Sequence, residues 1–141
     1  MSTVKFSTMS INAPVQEIWD VLIDRVFNPQ KYLTGVLEFT LQDQGQTLIR
    51  KMQTTLGEIV ERIVIDFKNL IITSEIIEHP TFEGSSVNQI IPSEDQSNFS
   101  LTAFIKNWKP KDPKNVTPDF TSLKEELLVT KKIAEEYLKH K

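Results

Sequence analysis

The chain has 141 residues, a net charge of −3, 39% apolar and 25% charged residues. That is the make-up of a globular protein able to bury a core, and it excludes intrinsic disorder. Charges of both signs are scattered along the chain, which argues against nucleic acid, and the absence of cysteine excludes disulfides and thiolate metal sites.

The start, "MSTVKFSTMSINAP", lacks the apolar stretch of a signal peptide, and no apolar run is long enough to span a bilayer. The expected location is therefore cytoplasmic, in one domain covering residues 1–141. Val4, Phe6, Met9 and Ile11 alternate roughly, as a strand requires. Pro14 suits a first helical turn. Val15, Ile18, Trp19, Leu22 and Val26 then form one apolar stripe at helical spacing. Asn28-Pro29 ends that helix, and a short helical turn over residues 30–33 runs to Gly35.

After Gly35 the period changes to two. "VLEFTLQ", "QTLIRKMQT", "EIVERIVIDF", "LIITSEIIEH", "SVNQIIPS" and "FSLTAFIKNW" read as six short strands in an antiparallel meander. The four glycines, 35, 45, 57 and 84, fall at the expected boundaries. "KPKDPKNVTP", residues 109–118, is a proline-broken loop. From Pro118 a helical stripe returns with Phe120, Leu123, Leu127, Thr130, Ala134 and Leu138, capped by Thr117 or Ser122. The order is strand, two short helices, six strands, long helix. It is an α+β arrangement in which strand one pairs with the last strand and a curved seven-stranded antiparallel sheet wraps the C-terminal helix.

With "INAPVQEIWDVL", "NPQKYLTGV" and the final amphipathic helix, the chain resembles the SRPBCC superfamily, the helix-grip fold of START domains, pollen-allergen-like proteins and polyketide cyclases. In "NPQKY", "GEIVERI" and "EGSSVNQI" it is similar to the AtaL-like subgroup. The resemblance implies an apolar cavity between the long helix and the concave sheet. It also implies a lipid-, aromatic- or polyketide-like ligand, which some members cyclise, dehydrate or hydrolyse.

Alternation in "GEIVERIVIDF" puts Ile59, Glu61, Ile63, Ile65 and Phe67 on the more apolar face, so Glu61 is expected among isoleucines. A carboxyl group in such surroundings is a candidate general acid or base. A two-residue loop at Lys68-Asn69 would set Glu61 opposite Ile76 and Arg62 opposite Glu75, with Ser74 and Glu78 sharing the inner face. A three-residue loop would bring in His79 and Glu75 instead. The first register is preferred because it turns Leu70, Ile72 and Ile76 inward. Asn88 is a candidate ligand contact or a turn amide. Tyr32 and Trp108, at element ends, are candidates for the cavity roof, and Leu123 and Leu127 for the helical wall.

There is no phosphate loop, dinucleotide fingerprint or G-x-S-x-G elbow, and only two histidines, so neither cofactor nor metal is expected. The leading expectation is a protein that binds a small hydrophobic molecule, as a monomer or homodimer. The alternatives are a polyketide cyclase- or dehydratase-like enzyme using Glu61, and a protein-interaction module using the basic loop "NWKPKDPKN".

Overall fold

The computed structural model describes the backbone of residues 5–80, 82–92, 99–110 and 121–139, and the side chains of 10–80, 82–91, 101–103 and 127–136. Strand β1 (Lys5–Ile11) leads into helix α1 (Val15–Phe27) and a 3₁₀ turn (Pro29–Lys31). Strands β2 (Val36–Asp43), β3 (Thr47–Thr54), β4 (Gly57–Asp66), β5 (Ile71–Glu78), β6 (Phe82–Pro92) and β7 (Phe99–Pro110) follow, and helix α2 (Thr121–Lys139) comes last. All pairs are antiparallel. The seven strands lie in the order β1-β7-β6-β5-β4-β3-β2, so β1 crosses to pair with β7 as the element order requires.

Helix α1 begins just after Pro14, which serves as its N-cap with φ −61° and accepts the Ile18 N–H. Its stripe is buried: Ile18 and Leu22 are fully enclosed and Trp19 and Val26 nearly so. Helix α2 packs on α1 and β1 and buries Leu127, Thr130 and Ala134. Lys131 donates to the Ser10 carbonyl at 2.8 Å and pairs with Glu135, which locks α2 to the end of β1. Ile11, Ile63 and Leu101 complete the centre of the core.

Several expectations are corrected. Gly84 is not at an element boundary but inside β6, at a bulge between Glu83 and Ser85, with φ +131°. Simple alternation along residues 36–42 would put Leu37 on one side with Phe39 and Leu41, but at a bulge between Val36 and Glu38 Leu37 is 70% exposed. The β4–β5 connection spans Phe67–Leu70 rather than two residues, with Leu70 at φ +57° and the Asp66 carboxylate accepting the Lys68 and Asn69 N–H groups. Phe67 does not line the cavity; it is largely exposed and meets Trp19 of α1 edge to face at 5.8 Å. Ser122 already lies inside α2 and so is not its N-cap, and Lys109 and Pro110, expected in the loop, end β7; Thr117 and the rest of that loop lie outside the described residues.

Candidate functional site

Strand alternation builds one polar line across the concave face. Arg50 on β3 sits opposite Glu61 on β4, Glu61 is diagonal to Ser74 on β5, and Ser74 is opposite Ser86 on β6. Asn88, two residues further along β6, pairs with Ile72. These groups line a cavity of about 320 Å³, whose apolar surface comes from Met52, Ile59, Ile63, Ile72, Ile76 and Val26. Leu33 and Thr34 after the 3₁₀ turn, and Thr55 and Leu56 at the β3–β4 turn, also contribute to its wall. A hydrogen bond from the Thr55 N–H to the Gly35 carbonyl, 2.9 Å, ties these two segments together. Among the described residues α2 contributes nothing to this wall, so Leu127 belongs to the core and not to the cavity.

Glu61 is not an isolated acid. Arg50 Nη2 donates to both its carboxylate oxygens, at 3.2 and 3.3 Å, and the Ser74 hydroxyl donates to Oε2. Arg50 Nη1 reaches the carbonyls of Arg25 and Val26 at 3.1 and 3.0 Å, placing a cation at the negative end of α1. The side chains of Arg50 and Glu61 are only 9% and 13% exposed. Each therefore answers the other's desolvation. Arg25 is buried beside them and donates to Thr130 of α2 at 3.1 Å.

The expected register of β4 and β5 holds from the turn as far as Glu61 opposite Ile76. The exposed Arg62–Glu75 ion pair, 2.9 Å, lies on the outer face as expected. A bulge between Val60 and Glu61 then leaves Ile77 unpaired and sets Glu78 opposite Val60. Ile77 and Glu78 are exposed, and it is His79 that reaches the cavity wall. Glu78 is thus not a cavity residue. His79 Nδ1 accepts the Phe82 N–H at 3.0 Å, which assigns the proton of the neutral ring to Nε2.

Asn88 is 7% exposed, lines the cavity, and its Oδ1 has no hydrogen-bond partner. An enclosed acceptor left unpaired costs on the order of 1–3 kcal/mol. Tyr32 does not roof the cavity. It is buried and donates its hydroxyl to Asp24 at 2.8 Å, where Asn28 and Lys31 also converge. Burial and the Asp24 carboxylate push the Tyr32 phenol well above its usual value. Burial alone would raise Asp24, but the bonds from Tyr32, Lys31 and Asn28 outweigh it and hold the carboxyl below 3.8. The side chains of Trp108 and Leu123 lie outside the described residues.

Arg50 was absent from the sequence-based candidates although its signal was there. "TLIRKMQT" alternates Leu48, Arg50 and Met52 on one face, and Thr55-Leu56 before Gly57 is a two-residue turn that sets residue 50 against residue 61. The bulge at Ile77 left no comparable trace in "SEIIEH".

No protein-family model and no curated protein matches the chain. Solved structures do. A point mutant of norcoclaurine synthase from Thalictrum flavum, in complex with a transition-state analogue, superposes with a TM-score of 0.76 at 12% identity, covering 97% of this chain and 96% of that one. The ZhuI aromatase/cyclase from Streptomyces sp. R1128 gives 0.73 at 13% identity, covering 97% and 93%.

The chain has the helix-grip fold. At these identities the likeness is one of architecture and carries no residue roles across. In this helix grip, no described helix is long and apolar enough to cross a membrane, and no described cluster of acidic and histidine side chains could hold a metal ion.

Proposed function

We propose that the protein binds a small, mostly apolar molecule in the cavity between β3–β6 and the end of α1. The observation that carries this reading is the cavity itself: about 320 Å³, walled by isoleucines, with a few convergent polar side chains. Its volume is at the small end of the usual range, which favours a compact aromatic or polyketide-like molecule over a long-chain lipid. Glu61 serves this function by holding Arg50 in place.

The neutral fluorophore N-phenyl-1-naphthylamine tests the reading. It is expected to bind saturably at one site per chain, and Ser86→Leu, which fills the cavity from β6, is expected to weaken binding at least tenfold. Absence of saturable binding, or undiminished binding by Ser86→Leu, would overturn it. Native mass spectrometry of the protein taken from its own host would then identify the occupant.

A cyclase- or dehydratase-like reaction is the second reading, favoured by Glu61 and His79 lining the same cavity. It requires turnover of a polyketide-type substrate that falls at least 100-fold in Glu61→Gln or His79→Gln while binding persists. Turnover unchanged in both variants removes these residues from any mechanism.

A further inference from the structure

We propose that the cavity selects a neutral, hydroxyl-bearing molecule and that Asn88 is the residue that reads the hydroxyl. The inference rests on the binding reading above and adds the chemistry of the ligand's polar group.

Most polar atoms of the charged groups in the wall are already committed, Arg50 Nε being a buried exception without a partner among the described residues. Arg50 spends Nη1 on two α1 carbonyls and Nη2 on Glu61, while Glu61 accepts from Arg50 and Ser74. Arg25 is engaged by Thr130. A carboxylate or phosphate entering here could reach only the enclosed Arg50 Nε without displacing Glu61, and would lie beside that acid either way. A ligand cation would compete with Arg50 for the same carboxylate. Neither sign of charge has a ready counter-ion.

Asn88 differs from these groups in being uncharged and in offering an unpaired acceptor. Its side chain is more than nine-tenths buried, it lines the cavity, and its Oδ1 is unpaired. The terminal torsion of asparagine is broad and two-fold, so the amide can turn either end toward the cavity at little cost. An amide offers one acceptor and two donors, and the group that meets either end equally well is a hydroxyl, which donates and accepts. On the same face Ile72 across from Asn88 and Ile63 beside Ser74 surround the rest of the molecule with apolar surface, and Ser86 is the nearest other hydroxyl along β6.

Three probes of nearly one shape separate the possibilities: 2-naphthol, naphthalene and 2-naphthoate, titrated by calorimetry at pH 7. The wild-type chain is expected to bind 2-naphthol about tenfold or more tighter than naphthalene, the worth of one good hydrogen bond, and 2-naphthoate more weakly than 2-naphthol. Asn88→Leu is expected to bring 2-naphthol down to the affinity of naphthalene while naphthalene binds as well as before. Equal binding of naphthol and naphthalene by the wild type, or tightest binding of 2-naphthoate, overturns the proposal without any variant. Discrimination that survives Asn88→Leu overturns the role of Asn88. If naphthalene binds but naphthol gains nothing, the cavity reading stands and only the hydroxyl assignment falls. If none of the three binds, both fall together.

Discussion

Arg50 and Glu61 show how much one cross-strand pair can commit a cavity. Removing one partner of a buried ion pair strands the other, so Arg50→Met is expected to destabilise the fold by about 3–5 kcal/mol. The double variant Arg50→Met, Glu61→Leu is expected to recover a substantial part of that loss, since apolar side chains of similar volume often replace a buried pair without penalty. Urea unfolding of the two variants checks this, and a double variant no better than the single one would show that the α1 carbonyls, not Glu61, are what Arg50 chiefly serves. The Tyr32–Asp24 bond gives a pH signature of its own. The folded phenol titrates above its ordinary 10.0, so its contribution is complete below pH 10 and is lost as pH rises through the higher folded value. Asp24, held below 3.8, contributes fully above that value and loses its contribution as pH falls through the lower folded one. Tyr32→Phe is therefore expected to flatten the alkaline limb of a stability-versus-pH curve measured by chemical unfolding, which would stay steep if the phenol were unlinked to folding.

The turns divide by what surrounds them. Gly35 and Gly45 have nearly the same φ, +85° and +86°, yet a Cβ on Gly35 would lie 2.7 Å from the Thr55 hydroxyl, while one on Gly45 would meet nothing within 4 Å. Alanine at either site pays the left-handed backbone penalty of about 1–2 kcal/mol. Gly35→Ala is expected to cost more than Gly45→Ala, because it also displaces Thr55 from the tie beside the cavity, and thermal unfolding of the two variants will rank them. Equal losses would mean that the tie is soft. At this scale the β3–β4 hairpin was readable from its short turn before Gly57, and the pairing of Glu61 with Ile76 from counting outward from the β4–β5 turn, although that turn has no glycine and is longer than expected. Bulges were not readable, because an unpaired residue among Ile76, Ile77 and Glu78 changes neither composition nor periodicity enough to show.

For the molecule as a whole, element order carried the architecture. A strand, a proline-led helix and six strands before a long helix leave few ways to cover one curved sheet, and β1 pairing with β7 is the one observed. The cavity was less legible, since its position near the end of α1 depends on Arg50 reaching two backbone carbonyls far away in sequence. Ligand binding should be felt across this whole framework: at a hundred times its dissociation constant, 2-naphthol is expected to add about 2.7 kcal/mol of stability and raise the unfolding midpoint by several degrees. Differential scanning calorimetry checks it, and an unmoved midpoint at that saturation would mean the probe does not prefer the native chain. One extra residue in β5 has a longer reach than any of these substitutions. Had that strand matched β4 residue for residue beyond Ile76, Glu78 would lie opposite Ile59 on the inner face with Glu61, and the imidazole of His79 would look out to solvent. Whether the chamber holds a second acid or a base is therefore decided by counting rather than by chemistry. Related chains that gain or lose a single residue at this point can change what they admit with no substitution elsewhere in the wall.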